Sequence, residues 1–553
     1  MKKITFTLIA FFSFFLNGQA QFGMQTVAEA TDYRSTSRYE DVMQFIRELE
    51  KASPYIRTEI IATTVEGRDI PLMILADPLP ESPQDLKNDP RIVVYVQANI
   101  HAGEVEGKEA VLMFARDILS QGSHPLFRDV VLLMCPDLNA DGNERISTRN
   151  RTNQVGPVNG VGVRHNARYL DLNRDAMKVE TREMRGVFQN ILNRWDPAVT
   201  MDMHTTNGVY RQEPVTFSWM INPNGDRELI RYMRDRMMPQ MSHTLRETYG
   251  VENTFYGEFM DMGNPQEGYL NYACEPRYFV NYLGLRNRLA ILNENYVYAD
   301  FKSRVHGSYF LIRSLLDFVS EHRQEIKNML ASADTRAINK GTDPSPADSF
   351  ALTYEAMPTP EKLQVKTYEV EPVENPQGWN RYRKTDRPVT LLVPYLADYE
   401  AVRRVKYPYA YLITVPDPLV LENLRIHGIV VEKLAGTHTL EVERFNITEL
   451  SPAPRLNQGH YTNEVKGAFV KEKREFPEGT LVVRTAQPLG YLAAYLLEPE
   501  TDDGLLLWNF FDTYLVPQWG RGYYPYPVYK VTGKENLETE KLLSKQSEAA
   551  REP

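Results

Sequence analysis

Three side chains have the type and spacing to hold one ion. His101 and Glu104 lie three residues apart in Gln97-Ala98-Asn99-Ile100-His101-Ala102-Gly103-Glu104, and His204 lies in Asp202-Met203-His204-Thr205-Thr206-Asn207-Gly208. On a tight loop, an imidazole nitrogen and a carboxylate at that spacing can face a common cation. A second imidazole completes a two-His, one-carboxylate set, which suits zinc and leaves a fourth coordination position open for water. Either piece alone is common by chance, and a lone His at a strand end is usually a polar rim residue. The combination carries the weight, because both pieces follow apolar runs and are surrounded by small or polar residues. Of the 10 His, His124, His243, His322, His427, His438 and His460 have no such setting.

Two further segments could act on a substrate near such an ion. Leu170-Asp171-Leu172-Asn173-Arg174-Asp175 puts an amide beside a planar guanidinium, a pair able to hold a carboxylate, although a helix cap with a surface ion pair would use the same residues. Leu289-Ala290-Ile291-Leu292-Asn293-Glu294 delivers a carboxylate at the end of an apolar run. Glu294 could pair structurally with an arginine, or it could be a general base for an attacking water.

The elements that must position these residues are short apolar strands alternating with helical stretches from about residue 35 to 318, the pattern of an α/β domain. Strands are predicted over Arg91–Val96, Asp129–Met134, Ala198–Met203 and Leu289–Leu292, and a helix over Gly107–Leu119. Open α/β sheets carry their sites at the C-terminal ends of strands, where all the candidates fall. Residues 336–360, rich in Ala, Asp, Ser, Thr and Pro, read as a linker. Beyond it, 361–535 reads as a smaller β-rich domain, with strands near Val389–Val393 and Gly479–Val483 and a helix over Leu419–His427. Aromatic clusters at Trp508–Phe511 and Tyr523–Tyr526 read as buried packing. Residues 536–553 read as a charged tail.

The chain has 553 residues, 63 Lys+Arg against 73 Asp+Glu and a net charge of −10, and no Lys/Arg-rich run. That balance argues against nucleic acid or an anionic membrane as partner. The start, Lys2-Lys3 followed by an apolar run from Ile4 to Leu16 and an exit at Asn17-Gly18-Gln19-Ala20, has the layout of a secretory signal over 1–20. An exported protein, periplasmic or extracellular and free of the membrane after cleavage, is the expectation. Only 2 Cys are present, so packed cores must supply stability; Cys135 closes an apolar run and suits a buried thiol.

Taken in chain order, His101-x-x-Glu104, Asp141-Gly142, Asn173-Arg174, His204 and Glu294 resemble the zinc metallocarboxypeptidases of the carboxypeptidase A/B type, over roughly residues 35–318. The resemblance implies an α/β/α sandwich on a mixed eight-stranded sheet, within a catalytic domain spanning 21–335. It implies one Zn2+ on His101, Glu104 and His204, a substrate-carboxylate clamp of Asn173 and Arg174, and Glu294 as the catalytic carboxylate. A peptide with a free C-terminus is the implied substrate, cleaved at its last bond.

An oxyanion-stabilising arginine is implied between Asp141-Gly142 and Asn173-Arg174. Arg145, Arg149, Arg151, Arg164 and Arg168 all qualify, and Arg151 is the choice taken. A tyrosine is implied upstream of Glu294; counting back without gaps gives Tyr272, with Tyr278 and Tyr282 as rivals and Phe279 near the side-chain pocket. Residues 253–268 depart from the family's pattern. The same metal set would also serve a zinc amidohydrolase acting on acylated amino acids or peptidoglycan stem peptides. A non-catalytic binding protein using the surface beyond Pro360 is the remaining alternative.

Overall fold

Near-continuous apolar runs are what strands covered on both faces require, and here they build the centre of a sheet. The computed structural model describes residues 23–206, 208–374 and 381–542. The segment read as a secretory signal lies outside the described residues. No helix among the described residues is long and apolar enough to cross a membrane.

Among the described residues, ten strands precede residue 300: β1 (Ile56–Thr63), β2 (Asp69–Leu75), β3 (Ile92–Ala98), β4 (Val130–Cys135), β5 (Val199–Thr205), β6 (Val215–Trp219), β7 (Asn253–Phe255), β8 (Glu258–Phe259), β9 (Tyr269–Leu270) and β10 (Leu289–Asn295). Among the described residues, eight of them form one mixed sheet in the order β1-β2-β4-β3-β5-β10-β6-β7. β4, β3, β5 and β10 run parallel to one another, so their C-terminal ends open on one edge. Helices cover the sheet. Glu106–Leu119 and Phe301–Thr342 pack together against its central strands. Gly107 lets the first of these approach closely, since a Cβ there would stand 2.7 Å from that of Met203. Arg182–Val187 packs on β1 and Phe279–Leu285 on β5 and β10, and these two are joined through the Phe188 and Tyr282 rings, 4.7 Å apart.

All four strands predicted in the α/β domain outrun their predicted ends, β4 by one residue, β3 and β5 by two and β10 by three. The parallel ladder pairs Glu294 with His204 and Asn295 with Thr205, so β5 and β10 continue past their apolar stretches and carry the polar residues in strand geometry. The segment 336–360 also differs from a free linker. The helix Phe301–Thr342 runs into its first seven residues, with Ala333, Ala337 and Gly341 buried at four-residue spacing, and a strand over Ser349–Pro358 takes up much of the rest. A Cβ on Gly341 would stand 2.3 Å from the backbone of Ala486, so the small residues there serve close packing.

The C-terminal region is rich in strands: β11 (Ser349–Pro358), β12 (Leu363–Pro372), β13 (Tyr382–Val393), β14 (Tyr395–Lys406), β15 (Ala410–Ile413), β16 (Glu432–Leu434), β17 (His438–Pro452), β18 (Asn463–Phe476), β19 (Leu481–Arg484), β20 (Val528–Val531) and β21 (Thr539–Lys541). Seven of them form the sheet β18-β17-β20-β15-β19-β16-β21. β21 therefore pairs with β16 inside the segment read as a charged tail. β12 and β13 make a hairpin, while β11 and β14 join β9 and β8 in a sheet of four strands. Trp508, Phe511 and Tyr526 are buried, whereas Tyr523 and Tyr524 are exposed. Cys135 and Cys274 are buried free thiols.

His427, at the end of the helix Pro418–Ile426, clasps the two regions. Its Nδ1 accepts from the Tyr282 hydroxyl at 2.9 Å and its Nε2 donates to the Met177 carbonyl at 2.9 Å, which suits a neutral ring. Burial pushes its pKa down to about 3. An unfolded chain takes up this proton near pH 6.5, so the contribution to stability is complete above that pH. It declines by roughly 1.4 kcal/mol per unit as the pH falls towards the folded value. His427→Gln is expected to lower Tm at pH 7 and to lose less further stability than the parent between pH 7 and 5. Thermal denaturation at both pH values measures the difference, and equal losses would remove this titration from the account.

Candidate metal and substrate site

The loop after β3 is shaped before any ligand enters it. Asn99 takes a left-handed conformation (φ 63°) and donates its side-chain amide to Asp137 Oδ1 at 2.6 Å, turning the chain out of the strand. The Glu104 N–H then closes on the His101 carbonyl at 2.9 Å, which brings both side chains to the same side. Gly103 has no room for a side chain: a Cβ would stand 2.5 Å from Arg151 Cδ and 3.0 Å from the Gly162 carbonyl.

β5 brings His204 to this loop. The donor atoms of His101, Glu104 and His204 all lie within 4.8 Å of one another, and all three residues are buried. His101 Nδ1 is 3.2 Å from Glu104 Oε1, while His204 Nδ1 is 3.1 Å from Glu104 Oε2 and 3.1 Å from His101 Nδ1. Both imidazoles thus direct Nδ1 inward. Their outer nitrogens are held by carboxylates, His101 Nε2 by Asp171 at 3.0 Å and His204 Nε2 by Asp202 at 2.8 Å. A carboxylate on the far nitrogen fixes the tautomer and orientation of a metal-binding histidine and raises its basicity. Gln97 in turn donates to Asp202 at 2.9 Å.

The electrostatics favour positive charge between these groups. Burial lowers the His204 pKa, but Asp202 and Glu104 outweigh it and hold the pKa well above the ordinary value. Burial raises Glu104, yet His101 and Arg151 hold it well below the usual carboxylate range. Two nitrogen donors, one carboxylate and a local preference for a cation fit a zinc ion with an open position.

Beside the three donors is a cavity of about 370 Å³, lined by His101, Glu104, Arg164, Asn173, Arg174 and Glu294 together with Tyr272 and Tyr278. Val280, Leu292, Leu270 and Ala273 supply its apolar wall. Burial pushes Glu294 up to about 8, with the Glu104 charge adding to the rise and His204, Arg164 and Arg151 pulling the other way. Asn173 Oδ1 accepts from the Phe279 N–H at 2.9 Å, which leaves the amide NH2 as its free end. Arg174 lies over the Tyr278 ring, with Cζ 4.3 Å from the centroid.

Arg151 differs from the expectation. Its guanidinium donates to Glu104 Oε1 at 2.8 Å and to the carbonyls of Thr205 and Thr206 at 3.1 Å each, so its donors are spent behind the carboxylate. It lines a separate hollow with Thr152 and Val297. Arg164 occupies the cavity wall instead, held by Asp171 Oδ2 at 2.8 Å. The Tyr272 ring lines the cavity, but its hydroxyl is engaged by the Trp219 carbonyl at 2.9 Å and Asn281 Oδ1 at 3.1 Å. Tyr282 is buried against His427, away from the cavity, and Phe279 contributes its backbone N–H while its side chain is buried.

Sequence reasoning passed over Asp171, Asp202 and two residues that line the cavity, Tyr256 and Glu258, the latter opening β8. Asp202 had a signal, since residues two apart on a strand share a face and Asp202 therefore accompanies His204. Tyr256 and Glu258 had none, because their segment is organised by a sheet whose other strands include β11 and β14, far away in the chain.

The family model described as zinc carboxypeptidase matches residues 42–219. That span includes His101, Glu104, His204, Asn173 and Arg174, and ends before Glu294. Carboxypeptidase 2 of Trichophyton equinum is 24% identical over 372 residues, covering 62% of this chain and 63% of that protein. A probable carboxypeptidase 2 of Arthroderma benhamiae is 24% identical over 363 residues, covering 62% and 65%. The chain thus spans less than two thirds of the length of these relatives. Among solved structures, a metallo-carboxypeptidase from Burkholderia cenocepacia gives a TM-score of 0.38 at 17% identity, covering 51% of this chain and 69% of that one. A Pseudomonas aeruginosa metallo-carboxypeptidase gives 0.37 at 15% identity, covering 52% and 69%.

The outer carboxylates give a test independent of turnover. Asp202→Asn is expected to weaken zinc affinity by about 10- to 100-fold while the protein stays folded. Zinc competition against a chromogenic chelator reads the change, and unaltered affinity would separate Asp202 from the metal site.

Proposed function

We propose that this chain, which carries a zinc carboxypeptidase domain across residues 42–219, is a zinc-dependent carboxypeptidase that removes single residues from peptides with a free C-terminus. The observation that carries the reading is one cavity lined by His101 and Glu104 of the three-donor set, the Asn173–Arg174 pair and the Glu294 carboxylate, with His204 completing the set beside it. Bound zinc would supply Lewis acidity and a water of lowered pKa.

The remaining steps belong to the chain's own residues. Arg174 and the Asn173 amide bind the terminal carboxylate through charge-assisted hydrogen bonds, which fixes the last peptide bond within reach of Glu294. Glu294 takes a proton from the attacking water and returns it to the leaving amine. Arg164 donates to the carbonyl oxygen as negative charge builds there, an interaction strongest in the transition state. The Tyr272 ring and the apolar wall enclose the C-terminal side chain.

Three outcomes follow. Glu294→Gln should keep zinc bound while kcat falls by orders of magnitude, since the base is gone and the donor set is intact. Retained turnover would end its assignment as base. Arg164→Ala should lower kcat by about 10²- to 10³-fold, the usual size for a lost oxyanion donor, with Arg151→Ala acting mainly through metal affinity. Finally, only ionised Glu294 accepts a proton, and burial holds the free carboxyl at about 8. A bound dication lowers that value, so the acid limb of kcat/KM should lie below 8 yet above the ordinary glutamate value of about 4.3. A pH–rate profile flat through pH 5 would contradict it.

A further inference from the structure

The C-terminal region touches the cavity's surroundings at three separate points. β14 pairs Tyr395 and Leu396 with Tyr269 and Leu270 of β9, directly before cavity residues Asn271 and Tyr272. Gln458 Oε1 accepts from the backbone N–H of Asp171, the residue that holds His101, at 2.8 Å. The third contact is the most directed. Asp503 is fully buried, and its Oδ2 accepts both from the backbone N–H of Arg277 at 2.8 Å and from Arg277 Nε at 3.0 Å.

Asp503 is itself held, since Trp508 Nε1 donates to its other oxygen at 3.2 Å. Arg277 Nη2 also donates to the Asp502 carbonyl at 2.6 Å. The residue after Arg277 is Tyr278, whose ring lies under the Arg174 guanidinium. Tyr278 is also the N-cap of the helix Phe279–Leu285 and makes no side-chain capping bond there. The turn is held on its own side by the Tyr278 N–H on the Glu275 carbonyl at 3.3 Å and the Phe279 N–H on Asn173 Oδ1 at 2.9 Å. The contact that comes from the C-terminal region is the Asp503 carboxylate, which grips both backbone and side chain of the residue before Tyr278.

We propose that the C-terminal region is a working part of the substrate-carboxylate site, with Asp503 as the positioning residue that, through Arg277, seats Tyr278 beneath Arg174. The inference rests on the reading of Arg174 as a carboxylate clamp. A guanidinium lying on an aromatic face is restrained in plane and keeps its edge donors free for a carboxylate. Releasing the turn frees the ring, and the clamp then loses affinity for the charged end of the ligand while the metal donors stay in place. A merely cohesive contact between the two regions would instead cost stability without touching ligand choice.

The test compares N-acetyl-L-leucine with N-acetyl-L-leucinamide, which differ only in the free carboxylate, by calorimetry on the zinc-loaded full chain. The parent should prefer the acid. Asp503→Asn and, separately, Arg277→Met should weaken the acid by about tenfold and leave the amide unchanged, with zinc content retained. Tm is recorded for each variant, so the one that folds better decides the matter. A parent that prefers the acid together with folded variants that keep the full preference would overturn this inference alone. A parent that binds acid and amide alike would overturn the clamp and this inference with it.

Discussion

Parallel pairing at the centre of the sheet is the constraint on which the rest depends. β3, β5 and β10 are adjacent and run in one direction, and the register sets Glu294 directly beside His204. The loop leaving β3 then needs to travel only a few residues to bring His101 and Glu104 to the same place. A one-residue slip of β10 would send Glu294 to the opposite face of the sheet. The buried apolar ladder therefore specifies the relation between the candidate donor set and the Glu294 carboxylate, and no flexible segment has to find it.

That arrangement concentrates carboxylates. Glu104, Asp171, Asp202 and Glu294 are gathered around two imidazoles, with Arg151, Arg164 and Arg174 as the nearby guanidiniums. Burying charges of one sign is costly unless each finds a partner. Asp171 is met by His101 and Arg164, and Glu104 by Arg151, whereas Glu294 remains with its pKa raised. A cation among the donors relieves the residual repulsion, which is why the electrostatics and the donor geometry point the same way. The contacts from beyond residue 360 belong to the same economy. They brace the outer loops, where the central sheet supplies no register.

What could be read from the sequence follows this division. His101, Glu104, His204 and Glu294 were legible because each is tied by few residues to an apolar strand, and strand ends are where α/β sites form. Asn173 and Arg174 were legible as a pair of types. That Arg164 and not Arg151 lines the cavity was not legible, because the chain from Asn139 to Leu170 has no period. Its path depends on contacts such as Asn139 donating to the Arg164 carbonyl and Asn150 to that of Val161. The stretch around Ala337 and Gly341 read as a linker because small residues suit both mobile chain and tight packing, and composition alone does not separate the two. The pairing of β9 with β14 spans more than a hundred residues and left no local trace.

The central claim is that one metal-dependent cavity recognises a free peptide C-terminus and cuts the bond beside it. Mass spectrometry of a peptide offered as free acid and as C-terminal amide, with the enzyme zinc-loaded, chelator-treated and zinc-restored, tests it most directly. The account predicts stepwise loss of single C-terminal residues from the free acid, abolished by chelator, restored by zinc and absent for the amide. Internal cleavage, equal cleavage of the amide, or activity that survives complete zinc removal would contradict it.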